Sequence, residues 1–597
     1  MKRKLAFTSL FLLITLSLPL SLFSQDFEMN GTVLVKYNGN AANVTIPAGV
    51  TAIGERAFSS NYSLVSITIS SSVTSIGNGA FIFCDDLTSV IIPSSVTSIG
   101  ESAFSFCRKL TSITIPSSVT SIGDFAFAWC GSLTTINVDN QNRAYSSAEG
   151  VLFNKNRTVL ISYPAGKQGN TYTIPSTVTS IGNRAFTSCY GLASITIPLS
   201  VTSIGDNAFE GCNLTSVTIP AGVTSIGDGA FYECSSLASV TVDVQNRVYS
   251  SADGVLFNKN KTVLIKYPTG RQGINYTIPS GVISIVDNAF YKCSDLTSVT
   301  IPVGVTSIGN NAFAWCYGLI SVTIPAGLTS IGDNAFSGCS LTSVTIPAGV
   351  TSIGDGVFVD CSSLTSVTIP SSVTSIGNNA FRGCSSLTSV TIPAGVTSIG
   401  DSAFDGCSSL TSVTIPSGLT SIGKSAFDEC IRLTSVTIPS SVISIGESAF
   451  SRCRSLTNVT IPSRVTSIAA GVFYECRNLT SIIIPAGVTS IGAGAFSYCS
   501  SLTSVTIPSS VTSIGNNSFS YCTRLANITI PEGLISIGDY AFWQCDSFTS
   551  VTIPTSVTSI GSSAFAACRN LTNVTLSRRT TLGEYAFDTR VSITYRD

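Results

Sequence analysis

Nineteen cysteines fall at 84, 107, 130, 189, 212, 234, 293, 316, 339 and 361, and then every 23 residues to Cys568. Two of the earlier steps are 22 and two are 59, the latter being one period with 36 residues added. An Ala-Phe pair keeps the same beat from Ala57-Phe58 to Ala586-Phe587. With Val357, Val472 and Ser518 counted in the alanine place, it marks 21 units. The first unit has Asn61 at the cysteine position and the last has Arg590, as terminal units of an array do. A fixed period of 20–50 residues is the mark of a solenoid, in which each unit covers its neighbours. This overrides the prior of about four domains that 597 residues would otherwise carry.

One unit shows why stacking is needed. In Leu364-Thr-Ser-Val367-Thr-Ile369-Pro370, apolar residues alternate with hydroxyl residues, the pattern of a half-buried strand that proline ends. Val373-Thr-Ser-Ile376 reads as a second short extended piece, and Gly377 turns the chain. Asn378 is then placed to cap a single helical turn through Asn379-Ala380-Phe381, and Cys384 and Leu387 close the circuit. The large buried side chains of one unit contribute on the order of 14 kcal/mol at about 2 kcal/mol each, which falls short of the cost of ordering its 23 backbone residues at about 1–2 kcal/mol each. A unit therefore cannot fold alone. The expected fold is a leucine-rich-repeat solenoid, strand-dominated, of about 21 rungs with short parallel strands and one helical turn per rung.

Composition narrows the function classes. Charged residues make up 11% of the chain, and there is no histidine. That removes His-based nucleophile pairs and His-bearing zinc sites. A formal charge of −1 gives no cationic footprint for nucleic acid. Lys2, Arg3 and Lys4 precede an apolar stretch from Leu5 to Leu22, which reads as a signal peptide over residues 1–24 and argues for export. No long apolar run follows, so no membrane span is expected after its removal. The remaining expected organisation is an N-terminal cap at 25–50, the solenoid at 51–577 with β-hairpin insertions at 139–173 and 243–277, and a terminal capping repeat at 578–597.

The pattern L-x-x-V-x-I-P-x-x-V-x-x-I-G-x-x-A-F-x-x-C, as in Leu387 to Cys407, resembles the BspA-like class of bacterial leucine-rich repeats. The resemblance covers nearly all of the chain after residue 24. It implies a secreted, periplasmic or loosely surface-associated protein of host-dwelling bacteria. It also implies an adhesin that contacts host matrix proteins, host cells or other bacteria, with no catalytic residue and no cofactor. The alternative expectation is a self-associating surface-layer protein.

In-register cysteines such as Cys84, Cys107, Cys361, Cys384, Cys407, Cys430 and Cys453 would lie about 4.8 Å apart with parallel Cβ vectors. Disulfides need converging Cβ atoms at about 3.5–4.5 Å, so these read as a structural ladder of buried free thiols. No metal site is expected, since no C-x-x-C pair is present. Ser421-Ile-Gly-Lys424 matches an acyl-enzyme signature but belongs to the T-S-I-G segment shared by most units. Asp85-Asp86 and Asp428-Glu429 read as solvated turn residues.

Three groups remain as candidate partner contacts. The first is the outward hydroxyl ladder represented by Thr365, Ser366 and Thr368. The second is the variable turn after Ala-Phe, which carries Arg108, Lys109, Glu210, Arg382, Asp405, Arg432, Arg454 and Arg477 and all three tryptophans, Trp129, Trp315 and Trp543. The third is the pair of inserts, Val138–Pro175 and Val242–Pro279, 38-residue copies with 29 identities. Lys155, Arg157 and Lys167 in the first, and Lys259, Lys261 and Arg271 in the second, form the chain's basic clusters. Thr32–Tyr37 echoes the second strand of each insert, as a trimmed copy acting as a cap.

Overall fold

The computed structural model describes residues 26–596, so the expected signal peptide lies outside the described residues. The chain divides into two compact units. One comprises residues up to 192 with 200–212 and 225–230, and the other comprises 193–199, 213–224 and 231 onward.

Within each unit the 23-residue repeat forms β-solenoid coils. The alternating segment of each level is a short strand, and Ser366–Thr368 pairs in parallel with Ser343–Thr345, serine opposite serine and threonine opposite threonine. The second extended piece gives a two-residue strand, and Ser375–Ile376 pairs with Ser352–Ile353 in the same register. Identical residues therefore form columns one level apart. Val367 and its equivalents point into the core, while Ser366 and Thr368 are exposed.

The core is a set of such columns. Phe381, Phe404 and Phe427 are fully buried, with successive rings 5.3 Å apart and within 5° of parallel. The glycine of each level is held there by close approach of backbone. A Cβ on Gly400 would stand 2.5 Å from the carbonyl carbon of Gly377 one level below.

The expected helical turn is absent: the described residues contain no helix. After the glycine the chain enters the left-handed region, with φ of 54° at Asn379 and 72° at Gly383. Alternate N–H groups then point along the stack rather than back along the chain. Asn379, Phe381 and Gly383 donate to the carbonyls of Asp401, Ala403 and Asp405 at 2.7–2.8 Å. Left-handed backbone is costly for most residues, but here it gives every second turn donor an acceptor in the next level, which a single isolated helical turn could not do.

The inserts add levels of their own. Val151–Asn154 and Val159–Ser162 form an antiparallel hairpin, preceded by Tyr145–Ala148, and Val159–Ser162 pairs in parallel with Ser180–Ile181. The second insert repeats this with Val255–Asn258, Val263–Lys266 and Ser284–Ile285. The N-terminal segment is built the same way: Val33–Tyr37 pairs antiparallel with Phe27–Asn30 and parallel with Ala52–Ile53. Tyr37, Tyr163 and Tyr267 occupy the phenylalanine column and stack on Phe58, Phe186 and Phe290 at 5.0–5.1 Å.

Candidate functional site

The cysteine ladder is part of the core. All 19 cysteines are buried with free thiols. In a regular level the thiol donates to the phenylalanine carbonyl of the level below, as Cys384 does to Phe358 and Cys407 to Phe381 at 3.2 Å. Burial pushes the thiols up, Cys84 and Cys361 to about 12, so they are held protonated. Cys107, Cys384 and Cys430 move well up for the same reason, and Cys407 and Cys453 also rise through burial. Such groups pack and do not react.

The basic residues of the inserts are largely engaged by their own hairpins. Lys155 donates to the carbonyl of Asn142, and Lys259 to that of Asn246. Lys167 Nζ lies 2.6 Å from the Glu149 carbonyl. Arg157 makes a long contact with the Ser147 carbonyl at 3.4 Å. The Arg271 guanidinium sits over the rings of Tyr267 and Tyr276 at 5.7 and 6.0 Å. Lys261 is exposed in the turn of its hairpin, with φ of 54°.

What holds each insert in place was not singled out from the sequence. Asn142 is completely buried, donating to the carbonyls of Pro116 and Val119 at 2.7 and 2.9 Å and accepting from the N–H groups of Ala144 and Tyr145 at 2.8 Å. Asn246 makes the equivalent four bonds to Pro220, Val223, Val248 and Tyr249. The signal was present in the Gln-Asn-Arg segment common to both copies.

Most charges of the variable turn are internally paired, while Arg432 makes no ion pair among the described residues. Arg108 and Lys109 meet Asp85 and Asp86, Arg382 meets Asp405, and Arg184 meets Glu210, in each case between neighbouring levels. Arg452 binds both Asp428 and Glu429, while Arg454 and Arg477 share Glu475. Lys424, of the apparent acyl-enzyme signature, stands 3.3 Å from Glu447.

The aromatics of this turn stack too. Trp129 ends the series Phe83, Phe106, Trp129, with centroids 4.5 and 4.4 Å apart. Trp543 ends the series Tyr474, Tyr498, Tyr521, Trp543, at 5.7, 4.0 and 4.7 Å. Trp315 packs 5.9 Å from Tyr317 and lies across Gly338, where a Cβ would come within 2.5 Å of the indole. All three indoles are half-buried.

The hydroxyl ladder divides in two. The Thr365 hydroxyl donates to the Thr342 carbonyl at 2.9 Å, and Thr411 does the same to Thr388 at 3.1 Å, so this column closes the stack. Ser366 and Thr368 and their equivalents face outward. Over ten successive levels, from Ser343–Thr345 to Ser550–Thr552, both positions are exposed and none carries a charge. Asn458 and Asn527 replace serine in that face, and Ile483, 76% exposed, replaces threonine.

Comparison with known proteins agrees with this architecture. The BspA type leucine rich repeat region matches residues 35–149, 165–278, 283–411, 374–503 and 489–596. A leucine-rich repeat protein of Eubacterium ventriosum is 26% identical, over 65% of this chain and 90% of that one, with a TM-score of 0.43. A leucine rich cell surface protein of Faecalibacterium prausnitzii is 32% identical over 70% and 92%, with a TM-score of 0.34. A leucine-rich repeat protein of Bacteroides ovatus is 26% identical over 84% and 88%, with a TM-score of 0.31. No curated protein matches.

Proposed function

The chain belongs to the family defined by the BspA-type leucine-rich repeat, and on that premise we propose that it is an exported, non-enzymatic adhesin whose extended repeat surface binds a protein of host matrix, host cells or neighbouring bacteria. The observation that carries this reading is the Ser-x-Thr face of the second unit. Its hydroxyls and methyl groups are presented level after level without charge, while most of the turn charges are paired with one another and most insert cations are held by backbone carbonyls. Broad, repetitive, neutral contact suits an extended polypeptide or glycan, because many weak contacts add along the ladder. The cell-surface designation of the Faecalibacterium protein supports the placement outside the cell. Among the described residues no helix is long and apolar enough to cross a membrane.

The test is saturable binding of the purified protein to immobilised fibronectin or fibrinogen. Replacing Thr368, Thr391, Thr414 and Thr437 by lysine is expected to weaken binding at least tenfold, while Lys261→Ala changes it little. Undiminished binding by the lysine variant would overturn the choice of face. Concentration-dependent assembly of the wild-type protein, abolished by the same lysines and without matrix binding, would instead favour a self-associating surface layer.

A further inference from the structure

The first insert leaves the stack one short turn incomplete. A regular level runs from Ile376 to Phe381 through four intervening residues, whereas the inserted level runs from Leu160 to Tyr163 through only two. Both ends of the inserted piece are nevertheless held in register with the level above. Gly182 N–H donates to the Leu160 carbonyl at 2.8 Å, and Tyr163 N–H donates to the Ala185 carbonyl at 2.7 Å. Two residues of turn are therefore missing from the space between.

The level below shows the consequence. Ser102, Phe104 and Phe106 donate to the carbonyls of Asp124, Ala126 and Ala128 at 2.9–3.0 Å, as in the rest of the array. The next donors in those columns, the N–H groups of Phe125, Phe127 and Trp129, have no carbonyl partner among the described residues. Asp124 likewise stands in the column where a side-chain oxygen accepts the N–H of the following level, as Asn78 does from Glu101 at 2.9 Å, and receives no such bond among the described residues. In their place is a cavity of about 120 Å³, walled by the Gly123–Ala128 turn, by Val159, Ile161 and Ser162, and by Gly182–Arg184. The Arg184 guanidinium lies 4.4 and 4.8 Å above the rings of Phe125 and Trp129 and is held by Glu210 at 3.3 Å.

We propose that this cavity receives a short extended segment of a partner polypeptide, which takes the place of the two missing turn residues. Two alternating N–H donors of the cavity wall, those of Phe125 and Phe127, and the Asp124 carboxylate as acceptor are the complement of a peptide backbone, in the manner of strand addition to an open edge. The second insert differs at the matching positions, with Lys266 where the first has Ser162 and Val286 where it has Gly182. Lys266 is buried and its ammonium donates to the Asn288 carbonyl at 3.3 Å, Asn288 being the residue that corresponds to Arg184. The second insert therefore brings its own side chain to this region, and the first leaves it open.

The probe is the repeat's own turn as a capped peptide, N-acetyl-Ile-Gly-Asn-Asn-Ala-Phe-amide, the sequence of Ile376–Phe381. Saturation-transfer NMR on the peptide against the full protein is expected to show saturable binding at one site. The double variant Ser162→Lys with Gly182→Val, which copies the second insert, is expected to bind at least tenfold more weakly with an unchanged melting curve. Asp124 is exposed, so Asp124→Ala should fold in any case and is expected to bind at least threefold more weakly. Absence of saturable binding, or equal binding by wild type and Asp124→Ala, would overturn the proposal. So would displacement of the peptide by acetate at equal concentration, which would mark an anion hole instead.

Discussion

The regular levels of the second unit and the first insert satisfy the same backbone groups by different means. Between Ser343 and Thr552 every level is the next level's template: alternate N–H groups in the turn, the hydroxyls of the Thr365 column and the thiols find acceptors 22–26 residues away. At the insert this copying stops, and one buried asparagine with four bonds, Asn142, joins the inserted hairpin to the array below. Periodicity thus distributes stabilisation over many equivalent contacts, whereas a departure from it concentrates stabilisation on one side chain and leaves a gap beside it.

Thiol labelling is expected to show the largest contrast. A thiol moved from 9 to about 12 holds about a thousandfold less thiolate at pH 8, so the native array should label slowly and the denatured chain should label at all 19 positions. Cys189 and Cys293 follow the inserts, and their sulfurs stand 4.0 Å from the tyrosine carbonyls of the inserted levels instead of the usual 3.2 Å. They should label first in the native protein. Labelling of Cys384 or Cys407 ahead of them, followed by mass spectrometry, would break the comparison.

Phe404→Ala removes a ring stacked on both sides in the regular array. It should cost about 3–5 kcal/mol in denaturant unfolding. Asn142→Ala leaves two carbonyls and two N–H groups without their partner, at about 2–4 kcal/mol. Its effect should be local, seen as faster hydrogen exchange and proteolysis around residues 139–150 with the array above Ser343 unchanged. A uniform loss of protection over the whole chain would show that the insert is not a separate weak point.

The smallest effect lies in the outer turn of the array. Burial, with Asp428 nearby, raises the Asp405 carboxyl to about 6 against the opposing pull of Arg382. The folded state therefore holds this proton more tightly than the unfolded chain. Stability falls as pH rises from about 3.8 to about 6 and stays lower above that window. Asp405→Asn should raise the melting temperature by about 1–2 °C at pH 7.5 and leave it unchanged at pH 3.5. Destabilisation at pH 7.5 would mean that the ion pair with Arg382 outweighs the cost of burial.

Much of this was legible in the residues because a 23-residue period fixes which positions are neighbours. The buried Val, Ile, Leu, Phe and Cys columns, the exposed Ser366 and Thr368 positions and the hairpin nature of Val151–Ser162 all follow from alternation and repetition. The turn was misread as helical because Asn378-Asn379-Ala380-Phe381 has ordinary capping chemistry. Nothing local in those four residues shows that their N–H groups have acceptors in the next level, which is what makes the left-handed turn affordable. The fates of Thr365 and Thr368 were indistinguishable for the same reason: the two side chains differ only in which backbone carbonyl lies within reach.

The sequence by itself therefore determined the architecture, because periodicity turns one unit's hydrophobic pattern into a stack with no other way to bury it. It also determined the family, through a motif repeated along the chain. Only the tertiary structure decided which polar groups are left over for a partner. Whether a charge, hydroxyl or amide is free depends on the geometry of the neighbouring level, as Arg382 beside Asp405, Lys155 against the Asn142 carbonyl and the Phe127 N–H, with no carbonyl partner among the described residues, each show.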